Sequence, residues 1–514
     1  MNSLLLPRVR QLARRHLRVL TLTLLAAGLP LAAHAKPRLP AVIGSNMVLQ
    51  RDVPLTIWGW ADAGEEITVA IGTNKGTGKA NEQGRWTVKL APMKVSAEPL
   101  QMTIAGTETL TLTNILVGEV WLGSGQSNMQ WSVAASANSK DEIAAANYPR
   151  VRLFLVPLVP SGTPADDVKA TWKECAPANI PSFSAVAYFF GRELHKQLDV
   201  PVGLIASSWG GTRIEPWIPP VGFESQPELT KERDGVAAAV AAFAKAPEPK
   251  PKHPLNSNGA ATGLYNGMIH PLVPFAIRGA LWYQGESNRG AGMHYTDLMK
   301  GLIQGWRTVW AQGDFPFLFV QLAPYNYGKG ETLLPEIWEA QTETLKFPNT
   351  GMAVITDIAT VRDIHPPNKQ EVGRRLALWA LANTYAKSDL VYSGPLYDSM
   401  TTEKGRVRLQ FKHGGGGLVS RDGKMLSWFH VAGEDKKFVP ALATIVDSKV
   451  VVVSAPEVPN PVAVRFGWNH MAEPNLSNKE GLPASPFRTD KWADAVMPAP
   501  APAAAVTPAP PAKK

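Results

Sequence analysis

The sequence predicts an α/β fold: a parallel sheet covered by helices on both faces, with β-sandwich-like regions before and after it. Three observations predict this. Apolar strand-like runs alternate with helix-patterned runs between about residues 114 and 395. Short β-type runs punctuated by Gly, Asn and Asp fill the stretch before it, and β character returns after about residue 396. The 514 residues are 45% hydrophobic and 18% charged, enough for several cores. Strands that alternate with helices form parallel sheets buried on both faces, and the active sites of such sheets lie beyond the carboxyl ends of the strands.

Taken in order, residues 1–35 read as a signal peptide. Arg8, Arg10, Arg14, Arg15 and Arg18 precede the apolar run "VLTLTLLAAGLPLAA", and "AHA" at Ala33–Ala35 supplies a small-residue cleavage site. The expected location is therefore periplasmic or secreted. No later stretch reaches the roughly 18 apolar residues of a membrane span. Residues 36–113 read as a small sandwich, with strands in "LTIWGWA", "EITVAIG", "RWTVKLA" and "LQMTIAG". Residues 114–395 carry the α/β pattern. Its strands are "ILVGEVWLG", "VPVGLIASS", "RGALWYQGES", "FPFLFVQLA" and "MAVITD". Its helices are 184–198, with Ser184 as N-cap, 295–310, "EIWEAQTETL" and 368–386. "AKAPEPKPKHP" is a Pro-rich surface loop within it. Residues 396–496 form a second β-rich region, and the Pro/Ala tail 497–514 has a disordered composition.

Charge and cysteine content exclude several functions. Removing the five arginines of the signal lowers the formal net charge from +9 to +4, with no dense basic stripe left, so no nucleic-acid partner is expected. The single cysteine, Cys175, cannot pair within the chain and reads as a small buried hydrophobe. No pair of histidines has helical ligand spacing with a carboxylate, so neither a metal nor a cofactor is expected. Oligomeric state is not legible.

The strand ends share a pattern. Each apolar run breaks into a polar, Gly-rich segment: "GSGQSNM", "SSWGGTRIEPW", "WYQGESN" and, later, "DIATVRDIHPPNK". That places Ser127, Gly210, Gly211, Gln284, Glu286 and His365 on one rim. Acyl transfer needs a hydroxyl, an imidazole to take its proton, a carboxylate to orient the imidazole, and donors for the oxyanion. Ser127 and His365 supply the first two. Asp363 or Glu286 supplies the third. The Ser127 N–H, a Gly210 or Gly211 N–H, and the Gln284 or Asn288 amide supply the fourth. Gln126 and Asn128 hold the turn. By residue type alone, Ser127 reads equally as a helix cap and His365 as a loop residue fixed by Pro366 and Pro367.

The motifs "GQSNM", "SSWGGTRIEPW", "YNGMIHPL", "LWYQGESN" and "DIHPPNKQEVGRRLA" resemble the sialate O-acetylesterase family of the SGNH (GDSL-like) hydrolases, over roughly residues 40–395. The resemblance implies a three-layer α/β/α catalytic domain. It also implies a metal-free serine esterase that removes O-acetyl groups from carbohydrates. Ser127 matches the family's nucleophile, His365 its late histidine, and Gly210, Gly211 and the "QGES" amide its oxyanion positions. The superfamily often places its Asp three residues before the His, where this chain has Arg362; the acid here is Asp363. Trp209, Arg213, Asn266 and Trp282 are taken as substrate contacts. The alternatives are an acetylesterase acting on xylan or xyloglucan side chains rather than sialic acid, and a glycan-binding or adhesion module.

Overall fold

The computed structural model describes residues 36–492. The expected signal peptide and the expected disordered tail lie outside these residues.

Six strands precede the first long one: β1 (Val48–Gln50), β2 (Leu55–Trp60), β3 (Glu66–Ile71), β4 (Asn74–Lys79), β5 (Arg85–Leu90) and β6 (Ser96–Ala105). The long strand is β7 (Thr109–Gly125). Its first half alternates between exposed and half-buried residues and pairs antiparallel with β6. From Ile115 onward every residue is buried, and the strand becomes the middle of a second, parallel array. The expected boundary at residue 114 thus falls inside one continuous strand. One apolar core runs from Val42 to Leu381, and a separate core, from Val407 to Phe487, serves the C-terminal region. Where β7 crosses between arrays, buried Glu119 is held by Arg51, by Arg278 Nε (2.7 Å) and by Gln50 Nε2 (3.1 Å).

The parallel array adds β8 (Tyr148–Leu155), β9 (Trp172–Cys175), β10 (Val202–Ser208), β11 (Gly279–Tyr283), β12 (Phe317–Val320) and β13 (Thr350–Ala353). Its order is β13-β12-β11-β7-β10-β8-β9; only β9, at the edge, is antiparallel. Side chains alternate across a strand, so Trp121 and Ser124 of β7 face opposite ways. On the Trp121 face lies α2 (Ala185–Leu198), after α1 (Ser127–Gln130): the Trp121 and Phe190 rings meet edge-on at 4.9 Å. On the Ser124 face, Trp282 of β11 packs at 6.3 Å against Trp306 of α4 (His294–Trp310). This is the three-layer arrangement expected. The apolar spacing of α2 explains its burial, and Ser184 caps it by accepting the Ala187 N–H. α5 (Leu333–Thr344) and α6 (Lys369–Asn383) complete the layers. Gly373 of α6 lets the helix lie directly on α2: a Cβ there would sit 2.7 Å from Phe190 N.

Several elements differ from expectation, among them β8 and β9, which the sequence reading does not include. α3 (Thr230–Ala244) was not anticipated; its Ala-rich run buries no residue, so no apolar stripe marks it. The "MAVITD" strand ends at Ala353, earlier than expected. The C-terminal region pairs two four-stranded antiparallel sheets around its own core.

Gly125, the last residue of β7, has φ +142°, and a Cβ there would lie 2.2 Å from the Tyr283 carbonyl oxygen. Gly125→Ala is expected to cost about 1–3 kcal/mol through strain and overpacking. A clearly lowered melting temperature in differential scanning calorimetry checks this.

Candidate active site

The site is built at the carboxyl end of β7. After Gly125 the Gln126 N–H donates to Tyr283 O (3.0 Å), which folds the turn onto β11. The Gln126 Oε1 accepts from Gln284 Nε2 (3.1 Å) and from the Ser287 N–H (3.3 Å). Ser127 then opens the single turn of α1. The cap position is Gln126, without a side-chain cap bond, so the Ser127 hydroxyl is not engaged as a helix cap. Instead Ser127 Oγ lies 2.8 Å from His365 Nε2.

The His365 ring is stacked on Trp131, 4.6 Å between centroids at 16°. Its backbone N–H donates to Asp363 Oδ1 (2.8 Å). Partial burial holds the imidazole pKa below its usual value; nearby Lys369 acts in the same direction and Asp363 opposes both. A neutral imidazole against a serine hydroxyl is the pairing that proton abstraction requires.

Beneath this pair lies Asn128, fully buried. Its Nδ2 donates to Glu286 Oε1 (2.6 Å) and to the carbonyl of Ile364 (2.9 Å), the residue before His365. Its Oδ1 accepts from Lys369 Nζ. Burial lowers the Lys369 pKa to about 7, against the opposing pull of Glu286 and Asp363. Burial raises that of Glu286, although Asn128 and Lys369 draw it down.

The expected residues divide into those the fold brings together and those it spends elsewhere. Ser127, His365 and Asp363 converge. Glu286 accepts from Asn128 rather than from the imidazole of His365. Asp363 meets the His365 backbone; Nδ1 has no acceptor among the described residues. The two expected oxyanion amides are both buried and engaged within the protein. Gln284 Nε2 serves Gln126 Oε1, Thr212 O (3.1 Å) and Asn288 Oδ1 (2.8 Å). Asn288 Oδ1 also accepts the Ile214 N–H (3.0 Å), and its Nδ2 donates to Glu215 (3.1 Å). The Gly210 N–H donates to Gln130 Oε1 (2.7 Å). Gly210 nevertheless lies against Ser127: a Cβ on it would be 3.3 Å from that of Ser127. Among the described residues the Ser127 and Gly211 N–H groups have no acceptor, and Gly211, at φ +74°, is exposed.

Three of the four expected substrate contacts already have partners within the protein. Trp282 is buried between Trp217 and Trp306. Asn266 is buried and donates to Ser161 O (3.2 Å). Arg213 stays on the rim, but Glu215 takes its guanidinium at 2.6 and 3.0 Å. Trp209 is half-buried beside Gly210, its N–H bonded to Gly125 O (3.1 Å). Two cavities adjoin the Gly210 turn. One, about 300 Å³, is lined by Gln130, Leu155, Leu158 and Ser208. The other, about 350 Å³, is lined by Arg213, Glu215, Glu232 and Val236. Among the described residues no three His, Cys, Asp or Glu side chains group as metal ligands would.

Lys369 and Trp131 escaped the sequence reading. A lysine at the first position of a helix opposes the helix dipole, and that misfit was the available signal for Lys369. Trp131 carried none.

A family model described as "Carbohydrate esterase, sialic acid-specific acetylesterase" matches residues 117–382. The sialate O-acetylesterase of Mus musculus is 35% identical over 418 residues, 70% of this chain and 75% of that protein. The sialate O-acetylesterase of Homo sapiens is 30% identical over 499 residues, 88% of this chain and 92% of that protein. A solved carbohydrate acetylesterase from Xanthomonas citri superposes with a TM-score of 0.80 at 36% identity, covering 89% of this chain and all of that one.

Asn288→Ala should strip partners from the Ile214 N–H, Gln284 and Glu215 together. Each buried group left unpaired costs about 1–3 kcal/mol. Hydrogen exchange at the Ile214 amide is expected to accelerate at least tenfold, and unchanged protection there would show that the amide does not hold this loop.

Proposed function

From the chain's membership of the sialate O-acetylesterase family, which it shares with carbohydrate-specific acetylesterases, we propose that it hydrolyses O-acetyl groups of carbohydrates by acyl transfer through Ser127. The chain is a carboxylic ester hydrolase of carbohydrates by family. The serine mechanism is our reading, and the observation that carries it is the 2.8 Å contact of Ser127 Oγ with His365 Nε2.

In this mechanism His365 takes the hydroxyl proton as Ser127 Oγ attacks the acetyl carbonyl. The Ser127 and Gly211 N–H groups receive the oxyanion, each such donor contributing about 2.7–4 kcal/mol of barrier lowering. The protonated imidazole then gives its proton to the departing sugar oxygen. Water, deprotonated by the same imidazole, hydrolyses the acetyl-enzyme and frees acetate. Asp363 acts as a positioning residue through the His365 backbone, and Glu286 acts through Asn128. The arginine-rich start and the Ala33–Ala35 site favour export of the enzyme.

One observation favours neutral acetylated sugars, such as plant polysaccharide side chains, over sialic acid. The rim cation Arg213 is already matched by Glu215. A sugar carboxylate would have to compete with that pair.

Acetate release from a panel of acetylated sialic acid, xylo-oligosaccharides and xyloglucan oligosaccharides tests the reading. Ser127→Ala is expected to lose at least about a thousandfold in kcat; retained release overturns the mechanism. Asp363→Asn is expected to lose less than about tenfold, against the roughly 10⁴-fold loss when a carboxylate holds the ring, because an amide oxygen can still accept the His365 N–H.

The pH dependence follows from the lowered pKa of His365. The base works when neutral, so kcat/KM rises with pH through a midpoint below the usual histidine value and is flat by neutrality. A midpoint above that value contradicts the assignment.

A further inference from the structure

Lys369 is a buried cation that the proposed chemistry does not use. It stands at the first position of α6, after Asn368, whose side chain caps the helix by accepting the Glu371 N–H. A positive charge is disfavoured twice there: by burial, and by the positive end of the helix dipole. Among the described residues no carboxylate lies within ion-pair distance of its ammonium; it donates to Asn128 Oδ1. It also lies over the Tyr283 ring, 5.2 Å from the centroid, and 5.9 Å from that of Trp131. Trp131 is the ring on which His365 stacks.

Each contact leads back to the imidazole. The ammonium fixes which way the Asn128 amide faces, because only the oxygen can accept from it. The amide nitrogen is then turned to Glu286 Oε1 and to the Ile364 carbonyl. Ile364 is one residue from His365, and Asn128 is one residue from Ser127. The distance between nucleophile and base is thereby set by one amide whose orientation depends on a charge.

We propose that Lys369 is the positioning residue of the Ser127–His365 pair: through Asn128 it locks the Ile364 carbonyl, and with it the imidazole within reach of the serine hydroxyl. This rests on the reading of Ser127 and His365 as nucleophile and base. The charged and titratable groups around the pair are few. Asp363 faces His365 from its own loop, Lys369 from α6, and Glu286 and Tyr283 face Lys369 from the β11 end. Asp363 raises the His365 pKa and Lys369 lowers it, so loss of the cation moves the balance toward the protonated ring.

The test compares the full-length enzyme with Lys369→Met and Lys369→Gln, using 4-nitrophenyl acetate as substrate. Lys369→Met removes both the donor and the charge. Lys369→Gln keeps an amide donor but removes the charge, and carries the same readout if the first variant does not fold. Both are expected to shift the acid limb of kcat/KM to higher pH, with the His365 titration seen by NMR moving the same way. Lys369→Met is expected to lose at least about tenfold in kcat with KM changed less than about twofold, and Lys369→Gln to recover part of that loss. A variant that melts near the wild-type temperature with the wild-type kcat and acid limb overturns the proposal. The NMR titration reads the imidazole without turnover. If Ser127→Ala stayed active, the mechanism would fail while this shift could still be measured.

Discussion

The Asn128 carboxamide is the interaction on which the site depends. It touches three chain segments that meet only at the carboxyl edge of the sheet: the turn after β7, the turn after β11 and the loop before α6. An amide is suited to this place because it donates and accepts in fixed directions. Glu286 and the Ile364 carbonyl occupy its nitrogen, and Lys369 occupies its oxygen. Nothing else among the side-chain hydrogen bonds of Ser127 and His365 connects them to the scaffold beneath. Asp363 and Trp131 steady the imidazole from its own loop and from one face.

The sheet makes that meeting possible. β7 begins in the N-terminal β region and ends under Ser127, so that residue sits at the end of the strand with the most neighbours. Its two flanking strands, β10 and β11, end in the Gly210 turn and the "QGES" turn. Gln126, Gln284 and Asn288 bind one another across these ends. Three amides held this way form a floor that fixes the segment through Thr212 O and the Ile214 N–H. A buried network of this kind is rigid in proportion to how many of its members are satisfied, and Gln284 and Asn288 use both ends of their amides.

The sequence made the layers legible because strand and helix periods differ and the apolar runs obey them. Ser127 and His365 were legible from polar breaks placed after those runs. The partners of each side chain were not. Gln284 and Asn288 have the chemistry of oxyanion donors, and only distances show their donors already committed. Asp363 shares the loop of His365 and Glu286 lies in another turn of the rim, yet the carboxylate of one binds a backbone N–H and that of the other binds Asn128. Trp282 looked like a sugar platform because it precedes a rim motif. The alternation of β11 turns it inward between two other tryptophans. The first boundary was also hidden, because the change from half-exposed to buried pattern in β7 occurs without a break in the strand.

The rate at which a fluorophosphonate labels Ser127 reports the Ser–His geometry directly, independent of any sugar. If Asn128 sets that geometry, folded Asn128→Ala enzyme is labelled at Ser127 at least about tenfold more slowly than the wild type at neutral pH. Labelling at the wild-type rate would contradict the account.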